Sequence, residues 1–153
     1  MKNINIIRFV CLLILSLFIF SGCAKDPDEP EEETPTTPIT PPPAKFSWVI
    51  NGGTTVVADE TYFVEAYSDI YAAKGTKTID IILDALDKGT YQISQPIRTL
   101  DYFDGTNTQK GQSGTVVITE KSAGLISGSF TCTMSSGGSS STISGEFSNI
   151  PKK

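Results

Sequence analysis

Leu125-Ile-Ser-Gly-Ser-Phe-Thr-Cys-Thr-Met134 and its partial repeat Thr142-Ile-Ser-Gly-Glu-Phe-Ser148 decide the fold. In the first, Ile126, Gly128, Phe130, Cys132 and Met134 fall on one face of an extended chain. Ser127, Ser129, Thr131 and Thr133 fall on the other. That period of two is the mark of a half-buried strand. The second copy sets Ile143, Gly145 and Phe147 against Ser144, Glu146 and Ser148. Ser135 to Ser141 reads as a flexible connection, so the copies predict an antiparallel hairpin with two phenylalanines and two isoleucines over one core. A one-residue slip would turn all four to water, so the register is strongly set. Glycine inside a strand weakens it and marks a bend or a close backbone approach.

Upstream the same signals recur, and no segment shows helical apolar spacing. Phe46 to Ile50 leads into Asn51-Gly52-Gly53 and a second β-branched run, a hairpin signal. Tyr62 to Tyr67, Ile70 to Ala73 and Thr78 to Asp84 follow as strands. The last sets Ile79, Ile81 and Leu83 against Asp80 and Asp84. Asp87-Lys88-Gly89 turns into Gly89-Thr90-Tyr91, and Ile97 to Phe103 is a further strand. Asp104 to Gly114 is rich in Gly, Thr, Asn and Gln and predicts a loop, with Thr115 to Glu120 a strand. Residues 45–153 therefore predict an all-β domain, an antiparallel two-layer β-sandwich of about eight or nine strands, with a flattened β-barrel as the alternative.

The chain ahead of this domain predicts a signal helix and a disordered linker. Lys2 and Arg8 precede Phe9 to Phe20, twelve residues that are apolar except for Ser16. As a helix they rise about 18 Å against a hydrocarbon core of roughly 30 Å, which suits an export signal over residues 1–22 better than a span. Ser21-Gly22-Cys23 after Phe20 resembles the bacterial lipobox. The resemblance implies cleavage between Gly22 and Cys23, lipid on the Cys23 thiol, and membrane anchoring by several acyl chains. Residues 23–44 form the tether, and residues 24–44 hold seven prolines and a net charge of −5. Such composition cannot bury apolar surface. In polyproline II form it reaches up to roughly 65 Å. Lys25, Asp26, Asp28 and Glu29 resemble the export signal of surface lipoproteins in Bacteroidota, which implies an outer-membrane lipoprotein facing the exterior. The periplasmic leaflet is the alternative.

The domain itself resembles small uncharacterised Bacteroidota lipoproteins. The phrases are Gly89-Thr90-Tyr91, Gly114 to Thr119, Ile126 to Phe130 and Ile143 to Phe147. That resemblance implies no activity, since the phrases are core and turn residues.

Composition narrows the chemistry. Residues 45–153 carry a net charge of −2, so nothing invites nucleic acid. The absence of histidine removes Ser-His-Asp and Cys-His arrangements and the commonest zinc ligand. Cys11 leaves with the signal and Cys23 takes lipid, so Cys132 stands alone on an apolar strand face and reads as a buried, inert thiol. Asp101, Asp104 and Asn107 place oxygens in one loop, but their spacing is not that of an EF-hand, and turn formation explains them. No cofactor or metal is expected. The function expected is a non-catalytic glycan- or protein-binding module of a cell-surface lipoprotein. A structural coat or spacer is the alternative, and a carboxylate-based hydrolase needing two facing acids comes last. Tyr102 and Phe103, beside the loop at Asp104, are the candidate ligand-stacking pair.

Overall fold

The computed structural model describes residues 42–122 and 124–153. Gly22, Cys23, Lys25, Asp26, Asp28 and Glu29, with the expected signal and most of the tether, lie outside the described residues. Ten strands follow in chain order: β1 (Lys45–Ile50), β2 (Val56–Val57), β3 (Glu60–Val64), β4 (Asp69–Lys74), β5 (Lys77–Ile82), β6 (Gly89–Gln92), β7 (Thr99–Phe103), β8 (Thr108–Ser122), β9 (Leu125–Ser136) and β10 (Ser139–Pro151). A single 3₁₀ turn, Glu65–Tyr67, joins β3 to β4. The strands form one antiparallel sheet in the order β2-β1-β10-β9-β8-β7-β5-β4-β3, with β6 on the second half of β8.

The sheet curls until its two ends meet. Val56 and Val57 pair with β1, and Glu60–Val64 pair with β4, so one short run of chain serves both edges. Between them the Ala58 N–H donates to the Phe46 carbonyl at 2.9 Å, and the Asp59 N–H to the Ala73 carbonyl at 2.8 Å. Lower down, Phe63 bridges Lys152, and the Lys153 N–H donates to the Phe63 carbonyl at 2.9 Å. The all-β antiparallel expectation holds. The two layers that pack across the core are the two halves of this one curled sheet, a flattened barrel just wide enough for side chains to fill.

The repeated phrase explains the core. Phe130 lies opposite Gly145 and Phe147 opposite Gly128, so each ring covers the glycine of the neighbouring strand. Both rings pack against Phe46, at centroid distances of 5.5 and 5.8 Å, and Trp48 meets Phe46 edge-on at 6.1 Å. Ile126, Met134, Ile143 and Ile150 complete this half; Ile70, Ile79, Ile81 and Leu100 line the other.

Three segment readings need correction. Thr108 to Gly114 is the start of β8 rather than a loop. It lacks β-branched runs, yet Gln109 and Lys110 pair with β7, and a bulge between Gly111 and Ser113 carries the strand on into β9 pairing. Ser135 to Ser141 is no flexible connection: pairing continues to Ser136–Ser139, and Gly137 and Gly138 close the hairpin at φ +56° and +86°. Those angles fit the two-residue turn that matches strand twist. Tyr62 to Tyr67 stops being a strand at Val64, where the 3₁₀ turn begins.

Candidate functional site

The outward faces of five neighbouring strands carry one continuous row of functional side chains. Tyr62 on β3 stands opposite Tyr71 on β4, Tyr71 opposite Asp80 on β5, Asp80 opposite Asp101 on β7, and Asp101 opposite Lys110 on β8. Residues two apart share a face, so Asp69 and Ile82 form the next row and Phe103 flanks the other side. The Tyr62 and Tyr71 rings stack at 5.0 Å with planes 26° apart. The Lys153 ammonium sits 3.9 Å from the centre of the Tyr62 ring.

Three carboxylates meet here at some cost. Like charges directly opposite on adjacent strands are destabilising, and Asp80 faces Asp101 in that way. Asp101 is offset by Lys110, whose Nζ is 2.7 Å away. Asp69, on the strand next to Asp80, has no such cation. Burial, then a hydrogen bond and charge repulsion from Asp80, push its pKa up to about 7. One oxygen each of Asp69, Asp80 and Asp101 is screened from solvent and has no hydrogen-bond partner. Those screened oxygens are a cost of the row, and what solvent meets is the exposed remainder of each part-buried carboxylate.

The pair singled out in the sequence is not brought together. Tyr102 is 4% exposed and points into the barrel, so it offers no ring to a stacking sugar at the surface. Phe103 points outward beside Asp101 and is half-buried. Adjacent strand residues face opposite ways, which is why the two separate. Asp104 caps its own turn, its Oδ1 accepting from the Thr106 and Asn107 N–H groups at 2.8 Å each. Asp84 is bound in a two-pronged pair by Arg98, both contacts at 2.7 Å, and does not join Asp80 in a stripe. Among the described residues no group of three or more acids or cysteines is arranged to hold a metal ion. The row from Tyr62 to Lys110 escaped sequence reading because it depends on strand order; alternation within each strand was the one usable signal.

Cys132 is 3% exposed, and burial pushes its thiol pKa up. Thiol titration of the native protein is expected to leave Cys132 unlabelled, with labelling on adding denaturant. Rapid labelling of the native state would show an open barrel wall.

No protein family, no curated protein and no solved structure matches this chain. The site therefore rests on its own geometry. Its rival is the outward face of β1, β9 and β10, where depressions of about 430 and 470 Å³ share Ser47, Ser129 and Glu146. That face offers hydroxyls, the Glu146 carboxylate and the Lys45 ammonium, and no aromatic ring stands outward on it.

Proposed function

We propose that the chain is a lipid-anchored cell-surface protein whose barrel binds glycan, without catalysis, through the Tyr62–Tyr71–Asp80–Asp101 row. The observation that carries this is the stacked tyrosine pair beside three part-exposed carboxylates on one sheet face. An aromatic ring presents an apolar face to the C–H side of a sugar and a hydroxyl at its edge. Adjacent carboxylates accept from neighbouring sugar hydroxyls through the part of each group that remains exposed. Ile82 is the one large exposed aliphatic on this face, at 39%, which is little for a protein-docking core. The tether supports the outward display: Cys23 takes the lipid, and Lys25, Asp26, Asp28 and Glu29 direct the chain to the outer leaflet.

Protease shaving of intact cells, beside a Cys23→Ala control, tests the display. Loss of the wild-type domain without lysis is expected. Protection until lysis would remove the surface assignment and turn the search to periplasmic glycans. A glycan array probed with the full chain in detergent tests the binding, with retention of specific glycans expected; a blank array would favour the spacer alternative.

A further inference from the structure

The cations of the outward row stand at its two ends. Lys110 pairs with Asp101 at 2.7 Å, and the Lys153 ammonium lies on the Tyr62 ring, 3.9 Å from its centre. Among the described residues no lysine or arginine pairs with Asp69 or Asp80, in the middle of the row. Burial, and then the neighbouring Asp80, raise the Asp69 pKa, as expected of carboxyls that share a face without a counter-ion.

The ring stack is open on one side only. Tyr62 turns one face to Tyr71, and 5.0 Å between the ring centres leaves no room for an ammonium, so Lys153 takes the opposite face. The stack runs along the row from β3 to β4. The remaining face of Tyr71 therefore looks toward β5, where Asp80 is directly opposite. Asp69, two residues before Tyr71, shares that side of the sheet. Tyr71, Asp69 and Asp80 are all part-exposed. A ring face with carboxylates at its margin suits a protonated amine. The ring attracts the charge, and the carboxylates accept its hydrogens in charge-assisted bonds. Lys153 already seats a primary ammonium on the other side of the same stack. A neutral hydroxyl in that place would leave the Asp80 charge uncompensated.

We propose that the glycan taken by this row carries a free amino group, a hexosamine without its N-acetyl group, whose ammonium lies over the open face of Tyr71 against Asp80 and Asp69. This rests on the glycan reading above and narrows it. A partner's lysine would bring the same ammonium, but a face with Ile82 as its one large exposed aliphatic favours a sugar.

The full chain in detergent is titrated by calorimetry at neutral pH with the tetramers of glucosamine, N-acetylglucosamine and glucose, and with tetralysine. The glucosamine tetramer is expected to bind at least about tenfold tighter than the other three. Asp80→Asn should weaken it about tenfold, and Tyr71→Ala, which changes no charge, should abolish it. Glu146→Gln removes the same charge as Asp80→Asn from another face and should leave it unchanged. Equal binding of the glucose tetramer, lost in Tyr71→Ala, would overturn the amine and leave the glycan reading standing. Full binding by Tyr71→Ala would assign the amine to the acidic tether, and equal binding of tetralysine would assign it to a protein partner; either overturns the inference. No saturable binding of any tetramer would overturn it as well, with the glycan array deciding separately on the broader reading.

Discussion

Gly145→Ala is expected to cost about 3 kcal/mol of stability, the upper end of what overpacking a core usually costs. A Cβ at Gly145 would lie 2.5 Å from Phe130 Cζ and 2.7 Å from its Cε1, and it would overlap the Ser47 carbonyl oxygen. Neither neighbour can yield cheaply. Phe130 is pinned against Phe46, and the Ser47 carbonyl belongs to β1, the strand paired alongside β10. Gly128→Ala should behave alike, since its Cβ would lie 2.6 Å from Phe147 Cζ and overlap the Val117 carbonyl. Ser129→Ala, on the outward face of the same hairpin, should stay within about 0.5 kcal/mol of wild type. Urea midpoints of the three variants decide the matter. A Gly145→Ala midpoint equal to that of wild type would mean that Phe130 does not cover Gly145, and the hairpin register would be wrong.

Asp69→Asn is expected to stabilise the protein at pH 8 and to leave it nearly unchanged at pH 4. The sign follows from the raised pKa. Asp69 holds its proton in the fold up to about pH 7, whereas in the unfolded chain it loses it near the ordinary value of about 3.9. Folding therefore takes up a proton between those two values. The stability linked to the protonated acid is full below about pH 4 and is lost as pH rises through 7. Because the carboxyl is half-buried and screened, the loss is on the order of 1–2 kcal/mol rather than the full linkage value. Asparagine has no charge to bury at any pH. Melting temperatures at pH 4, 6 and 8 should show the variant drawing ahead of wild type by several degrees. A difference that stays flat across that range would mean that the fold does not hold Asp69 protonated.

The alternation in Leu125 to Met134 was enough to read an all-β domain, and the repeated phrase was enough to pair β9 with β10. The role of its glycines was legible only as a close approach; that each lies under the other strand's phenylalanine needed the register. Thr108 to Gly114 was misread because composition marks intrinsic preference, and here pairing on both sides overrides it. The tyrosine and aspartate row was hidden for a different reason. Asp80 meets Asp101 because β6 stands aside and lets β5 pair with β7, so residues some twenty positions apart become neighbours. No local pattern carries that fact. Tyr102 and Phe103 illustrate the opposite case, since the period of two in Leu100, Tyr102 and their outward neighbours Asp101 and Phe103 already separates them.

A glycan array read with wild type, Tyr71→Ala and Glu146→Gln side by side tests the binding face most directly. All three should give matching far-ultraviolet spectra, since both substitutions are on outward faces. The expected result is that Tyr71→Ala loses the glycans bound through the outward row, whereas Glu146→Gln keeps them. Retention by Tyr71→Ala together with loss in Glu146→Gln would contradict the account and move the site to the serine-lined face of β1, β9 and β10.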